Sequence, residues 1–169
     1  MLNLKNKSHA VTAEIVIPDS GAQGVLINEG GITGGWVLYL TPDGRLTYHY
    51  NFLGMQRASI SSAAPVPAGA RQVRMEFTYD GGGLGKGGQV VIGINGKEAG
   101  RARINNTVAG RFGIDTFGVG SDTGGAAGLA QQHQGEQPGG FRFVGHQLDE
   151  GPPEPDGFIR QVGSGQGLS

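Results

Sequence analysis

The sequence predicts an all-β protein built as an antiparallel β-sandwich, and three observations lead to this fold class. Gly accounts for 34 of the 169 residues, roughly a fifth against a usual share of about 7%, so turns are frequent and helices are disfavoured. Short segments of alternating apolar and polar residues recur along the chain, and turn-forming sequences separate them. The length is sufficient for one domain with its own core.

The strands of the first half are separated by turns whose chemistry is recognisable. Residues 10–17 alternate between apolar and polar side chains, residues 24–28 form a short apolar run, and residues 36–40 follow a Gly-rich stretch. Thr41-Pro-Asp-Gly44 predicts a tight turn, because Pro presets φ and Gly accepts a positive φ. Residues 45–52 alternate cleanly after this turn and complete a hairpin.

The strands of the second half are predicted on the same grounds. Residues 56–61 are a short strand candidate, and residues 72–79 have the clearest alternation in the chain. Residues 90–94 and 97–104 flank Asn95-Gly96, a dipeptide that favours a two-residue type I′ hairpin. We therefore expect antiparallel pairing between these two segments.

Residues 80–88, hereafter the Gly loop, have the sequence Asp80-Gly-Gly-Gly-Leu-Gly-Lys-Gly-Gly88 and look like a phosphate-binding loop. Such a loop works when a helix begins directly after it, because backbone N–H groups and the helix dipole then meet the anion. Here residues 89–94 read as a strand, and Gly87 stands where Ser or Thr would hold Mg²⁺. The Gly loop is therefore predicted to be a wide hairpin loop with positive φ at several glycines.

The charge and the cysteine content exclude several function classes. The net charge of −1 and the pI near 6.4 predict neither a nucleic-acid partner nor a membrane partner, since both recruit basic surfaces. The chain has no Cys, which excludes disulfides, Cys-ligated zinc and thiol nucleophiles. No signal peptide or apolar run of membrane-spanning length is recognisable, so the sequence leaves the compartment open.

No set of polar residues has the spacing of a catalytic or metal site. The four histidines lack metal-ligand spacing, and His49 is expected to be solvated because it alternates outward on a strand. Asp115 and Asp122 leave a calcium site as a minor alternative to ordinary turn capping. Asp122-Thr-Gly124 matches the aspartic-protease tripeptide, but no second copy supplies the carboxylate that would share the proton. Cofactors are therefore expected to be absent from this chain.

Aromatic residues are the candidates for ligand binding. Trp36, Tyr39, Tyr48 and Tyr50 can form a platform for a sugar ring, whose apolar face stacks on aromatic faces. Core packing is the favoured interpretation, because Tyr48 and Tyr50 share an alternating face with Leu and Phe. Lys86, in the Gly loop, is a candidate interface residue.

The composition changes after residue 124. Residues 1–124 are predicted to form the β-sandwich domain, whereas residues 125–169 are a Gly-, Pro- and Gln-rich tail that we expect to be poorly ordered. Residues 141–148 are the exception, since they are a further strand candidate.

Four segments together suggest a family. They are residues 24–39 (GVLINEGGITGGWVLY), 46–54 (LTYHYNFLG), 75–88 (MEFTYDGGGLGKGG) and 122–124 (DTG). In order and spacing, residues 2–124 resemble the C-terminal region of bacterial-type arylsulfatases. The resemblance implies a β-sandwich of the jelly-roll or concanavalin-like type, appended to an α/β domain that hydrolyses sulfate esters.

None of the catalytic machinery implied by this resemblance lies in the chain. Formylglycine arises in a Cys/Ser-x-Pro-x-Arg motif, which is absent, and the Ca²⁺ of these enzymes belongs to the catalytic domain. The chain is therefore predicted to be a non-catalytic accessory domain or fragment, whose partner is a sulfatase catalytic domain in cis or as a split protein. The resemblance also implies a last strand, of which residues 141–148 are a remnant. Loss of this strand would open a sheet edge to self-association.

A second hypothesis, from a different class, is a carbohydrate-binding β-sandwich module. It depends on the aromatic residues named above, and binding of sulfated or unsulfated polysaccharides discriminates it from the accessory-domain hypothesis.

Overall fold

The computed structural model describes residues 4–31, 34–110 and 117–120, together with the backbone of residues 142–150. The secondary structure of these residues consists of strands without a helix, which confirms the all-β prediction. The strands are β1 (His9–Ile17), β2 (Gly24–Gly31), β3 (Gly34–Leu40), β4 (Arg45–Phe52), β5 (Gln56–Pro65), β6 (Gly69–Tyr79), β7 (Lys86–Ile94), β8 (Lys97–Asn106), β9 (Phe117–Val119) and β10 (Arg142–Glu150).

The strands form two five-stranded antiparallel sheets, as expected for a sandwich. Sheet I has the order β10-β1-β6-β7-β8, and sheet II has the order β5-β4-β3-β2-β9. The sheets approach closely where their edge strands β5 and β8 meet: a Cβ on Gly100 would lie 3.1 Å from the Ile60 side chain. Gly100 therefore permits the close approach of the two layers.

The core lies between the sheets and follows the alternation in the sequence. The side chains of one face of each strand are buried there, because a strand presents successive side chains to opposite faces. The largest fully buried side chains are Ile15, Leu26, Ile27, Trp36, Leu38, Leu40, Leu46, Met75 and Ile92, with Val11, Val73 and Val90 between them.

The turns have the geometry that their sequences predict. Asn95 and Gly96 have φ values of +49° and +79°, as a type I′ hairpin between β7 and β8 requires. The Gly44 amide donates to the Thr41 carbonyl at 2.8 Å, and Gly44 has a φ of +78°. These two turns fix the pairing of β7 with β8 and of β3 with β4.

The Gly loop connects β6 directly to β7 and contains no helix, as predicted. Positive φ occurs at Gly81, Gly82, Gly83 and Gly85. The Tyr79 hydroxyl spans the loop: it donates to the Gly83 carbonyl at 2.6 Å and accepts from the Lys86 amide at 2.9 Å. The loop is thus held in one shape by a side chain of its own first strand.

Strand β10 lies beside β1 along nearly all of its length, from His9↔Glu150 to Val16↔Arg142. The edge of β1 is therefore paired. The rest of the predicted tail, as well as Asp115 and Asp122, lies outside the described residues. No helix in the described part of the chain is long and apolar enough to span a membrane.

Candidate functional site

The outward face of sheet II carries uncharged polar side chains, and strand register explains why they lie together. Directly opposed residues on antiparallel strands point to the same face. Trp36 and Leu38 belong to the core, so Val37 between them points outward, where it opposes Asn28 of β2 and His49 of β4. We call this surface the outer polar face; it comprises Asn28, Val37, Tyr39, Thr47, His49, Asn51, Ser59 and Ser61.

Hydrogen bonds between side chains connect β4 to β5 on this face. His49 Nδ1 and Ser59 Oγ are 2.6 Å apart, and Thr47 Oγ1 and Ser61 Oγ are 2.8 Å apart. Asn51 Oδ1 accepts from the Gly54 amide at 2.9 Å and so fixes the turn that follows β4. The β4–β5 half of the face is therefore ordered by its own hydrogen bonds.

Asn28 is the exceptional residue of the face. Its side chain is 0% exposed, and neither Nδ2 nor Oδ1 has a hydrogen-bond partner. Its cross-strand neighbours are Val37 and Gly118, whose side chains offer no polar atom. A buried polar group without a partner costs about 1–3 kcal/mol. Such a group in a native protein therefore points to a functional role or a bound molecule.

Tyr39 supplies an aromatic ring to the same face. It opposes Val25 on β2 and Thr47 on β4, and it packs with Val25 against Val37. The residue is half-buried, and burial raises the pKa of its hydroxyl. The phenol therefore stays protonated at neutral pH and keeps both donor and acceptor capacity.

Exposure changes across the face. Ser59 and Ser61 on the edge strand β5 are exposed, whereas Thr47, His49 and Asn28 are 2%, 5% and 0% exposed. The prediction that His49 is solvated is therefore wrong. His49 points outward as expected, but its ring lies between Val37 and Ser59 and is hydrogen-bonded to the latter.

Three of the four aromatic candidates lie in the core. Trp36, Tyr48 and Tyr50 are 1%, 2% and 5% exposed, and the Trp36 and Tyr48 rings stack with centroids 6.1 Å apart. None of the three rings offers a face to a sugar in solvent. These positions agree with the core-packing interpretation, and Tyr39 is the candidate that is only partly buried.

A carboxylate that sequence reasoning missed lies beside these core rings. Glu29 is 4% exposed, accepts a hydrogen bond from Trp36 Nε1 at 3.3 Å, and lies 3.8 Å from Lys5 Nζ. It lines a small cavity together with His9 and Tyr50. The Tyr50 oxygen accepts from the Val108 amide, and burial raises the pKa of this hydroxyl to about 12. The buried carboxylate of Glu29 is tolerated because it is paired with Lys5 and hydrogen-bonded to Trp36.

Lys86 begins β7 and has an exposed side chain. Its carbonyl accepts from the Thr107 hydroxyl at 2.7 Å, so its backbone is fixed while its ammonium group reaches solvent. The described residues contain no cluster of three or more His, Asp or Glu side chains that could hold a metal ion.

Comparisons with known proteins identify the fold. No family model matches the sequence, and no curated protein is similar to it. Among solved structures, a mutant form of HCR/D is 14% identical with a TM-score of 0.60 and covers 90% of this chain. Botulinum neurotoxin type C, whose cell entry depends on interaction with two ganglioside molecules, is 11% identical with a TM-score of 0.56 and covers 88%.

Domains LG4-5 of the mouse laminin α1 chain are 15% identical, with a TM-score of 0.52, and cover 89% of this chain. The chain spans only 36%, 34% and 41% of these three proteins. Similarities at this level of identity show a shared β-sandwich fold. The resemblance to arylsulfatases stays a prediction.

Proposed function

We propose that this chain is a carbohydrate-binding β-sandwich module and that the outer polar face is its saccharide site. The observation that carries the proposal is the buried Asn28 amide, whose Nδ2 and Oδ1 have no partner in the protein. A sugar presents adjacent hydroxyls that each donate and accept, so one pair of them satisfies both atoms of an amide.

The other groups of the face suit the same class of ligand. Tyr39, which is partly buried, supplies a ring for the apolar side of a sugar. Ser59 and Ser61 are exposed on β5, which makes that strand the side from which a ligand reaches the face. The interaction of botulinum neurotoxin type C with gangliosides supports the proposal through the shared fold alone.

The face is expected to prefer an uncharged saccharide. The centre of the face, from Asn28 through His49 to Ser59, includes no Arg or Lys, although Arg57 opposes Asn51 at its end. Arg and Lys are the side chains that bind sulfate groups through charge-assisted hydrogen bonds. Isothermal titration against a set of neutral and sulfated polysaccharides tests this expectation. Binding restricted to the sulfated members would contradict it.

Replacement of Asn28 by Leu tests the site itself. Leu has a similar size and removes the unsatisfied amide, so the free energy of unfolding should rise by about 1–2 kcal/mol while saccharide binding is lost. Titration and urea denaturation of the same variant measure both effects. Gln89→Leu is the control, because Gln89 is exposed on the outward face of sheet I. Unchanged binding by Asn28→Leu would remove Asn28 from the site.

The second candidate function is the accessory role next to a sulfatase catalytic domain, and it rests on the resemblance of residues 2–124. On this hypothesis the purified chain hydrolyses no aryl sulfate, whereas a catalytic domain supplied separately forms a complex with it. Measurable turnover by the chain alone would rule out a purely accessory role.

A further inference from the structure

Large apolar side chains project into solvent from two loops at one end of the sandwich. Leu53 and Met55, in the turn between β4 and β5, are 48% and 69% exposed, and Leu84 in the Gly loop is 73% exposed. Single exposed apolar residues are common on protein surfaces. The grouping of three on adjoining loops is what calls for an explanation.

Contacts with the end of β8 bring the two loops together. Asn106 Nδ2 donates to Gln56 Oε1 at 3.3 Å, directly after the β4–β5 turn. The next residue, Thr107, donates its amide to the Gly85 carbonyl at 3.3 Å. The two loops therefore belong to one surface.

Both loops hold their apolar side chains in fixed positions. Leu53 has a φ of +52°, a conformation that is unfavourable for a bulky residue. The Gly54 amide donates to Asn51 Oδ1, and the Met55 amide donates to the Phe52 carbonyl at 2.9 Å, which together maintain this turn. The Tyr79 hydroxyl fixes the Gly loop in the same way. Leu53 is thus presented at the cost of backbone strain, and hydrogen bonds maintain the shape of both loops.

The same surface is locally basic. Arg57 and Lys86 are exposed beside the two loops, and residues 53–57 and 81–86 contain no Asp or Glu. The adjacent carboxylate, Asp80, is hydrogen-bonded to the guanidinium group of Arg103. The net charge of −1, which predicted no membrane partner, therefore does not describe this end of the molecule.

We propose that this loop-tip patch, made of Leu53, Met55, Leu84, Arg57 and Lys86, binds the surface of a lipid bilayer that contains anionic lipids. Protruding aliphatic side chains fit the boundary between headgroups and acyl chains, and flanking cations attract anionic headgroups. A protein partner would instead require a broad complementary surface. The patch adjoins the outer polar face at Arg57, which opposes Asn51, but Leu53, Met55, Leu84 and Lys86 are not part of that face. The proposal therefore goes beyond saccharide binding, and variants of Leu84 and Lys86 test it independently.

Co-sedimentation of the full chain with vesicles tests the proposal. The probes are vesicles of phosphatidylcholine with phosphatidylserine and vesicles of phosphatidylcholine alone. The chain should bind the first more strongly, and Leu84→Ser should lower its partition coefficient about tenfold or more. Lys86→Gln should lower it about fivefold, and only where phosphatidylserine is present.

Two controls lie at the opposite end of the sandwich. Val16→Ser removes another exposed apolar side chain, and Lys97→Gln removes another exposed cation; neither should change binding. Emission of the buried Trp36 confirms that each variant is folded. Failure of the unchanged chain to bind either vesicle would overturn the proposal, as would equal losses in the controls. If the chain self-associates without vesicles and Leu84→Ser abolishes this self-association, the patch binds a second copy of the chain and the membrane proposal is wrong.

Discussion

The outward faces of the two sheets differ in the interactions that hold their polar side chains: ion pairs on sheet I, and hydrogen bonds between uncharged groups on sheet II. On sheet I, Arg74 pairs with Glu76 at 2.7 Å and also donates to Thr12 Oγ1 at 2.6 Å. Arg101 pairs with Glu98 in the same sheet. On sheet II, the outer polar face is held by hydrogen bonds between uncharged groups, and Asn28 has none.

The difference indicates which face is suited to a ligand. Arg74 and Arg101 of sheet I already have carboxylate partners within that sheet, so a ligand would have to compete with those carboxylates. The desolvation of Asn28 has already occurred on folding, but the side chain is 0% exposed, so a ligand reaches it only when the groups that cover it move aside. The unsatisfied amide therefore makes the outer polar face the better candidate for ligand binding, although the outward face of sheet I is more accessible.

The largest effect is expected from the core that both faces share. Trp36→Ala removes a fully buried ring and the hydrogen-bond donor to the buried Glu29, so the free energy of unfolding should fall by about 3–5 kcal/mol. Urea denaturation measures this change, and Val16→Ala, at an exposed position, is the control. If Trp36→Ala abolished saccharide binding without changing the free energy of unfolding, Trp36 would be a ligand-binding residue and not a core residue.

Alkaline pH should unfold the protein through the same core. Burial raises the pKa of Tyr50 to about 12 and that of Tyr48 well above its ordinary value of 10. Both hydroxyls are protonated in the fold, whereas the unfolded chain ionises near pH 10. Stability is therefore complete below about pH 10 and falls above it by up to about 1.4 kcal/mol per pH unit for each tyrosine.

Denaturation at increasing pH, followed by phenolate absorbance, measures this loss. Tyr50→Phe is the matched variant, since it removes one of the titrating hydroxyls and leaves the ring. A stability that stays flat between pH 10 and 12 would contradict the burial of these hydroxyls.

A smaller pair of effects should separate the two outward faces by their response to salt. Thr47→Val removes the hydrogen bond to Ser61 and should cost about 1 kcal/mol at any ionic strength. Arg74→Gln should cost at most about 1 kcal/mol, and high salt should reduce that cost because the ion pair is partly screened. Equal salt dependence of the two variants would remove the distinction between the faces.

Local sequence patterns predict the scaffold well, because they reflect local physics. The alternation in residues 45–52 places Leu46, Tyr48 and Tyr50 in the core, as found. The Asn95-Gly96 dipeptide predicts its hairpin because few other residues accept positive φ at both positions.

The site depends on features that local patterns do not contain. Residues 24–28 read as a uniformly buried run, which hides the outward direction of Asn28. The burial of Glu29 depends on Lys5 and Trp36, of which Lys5 is distant in sequence. His49 is predicted to point outward, and it does so, but alternation carries no information on what reduces its exposure to 5%.

The irregular pairing in β2 sets the direction of Asn28. Val25 opposes Tyr39 and Ile27 opposes Leu38, so Leu26 is an extra residue without a counterpart on β3. Leu26 and Ile27 both enter the core as a result, and the alternation resumes with Asn28 outward and Glu29 inward. In a strand of the same length without this bulge, Asn28 would point into the core and Glu29 would point outward. Deletion of Leu26, in contrast, would leave the register of both flanking segments unchanged. Loss of the residue at position 26 during evolution is therefore compatible with an intact outer polar face. A single-residue insertion or deletion a few positions later would instead reverse which side chains of β2 point outward.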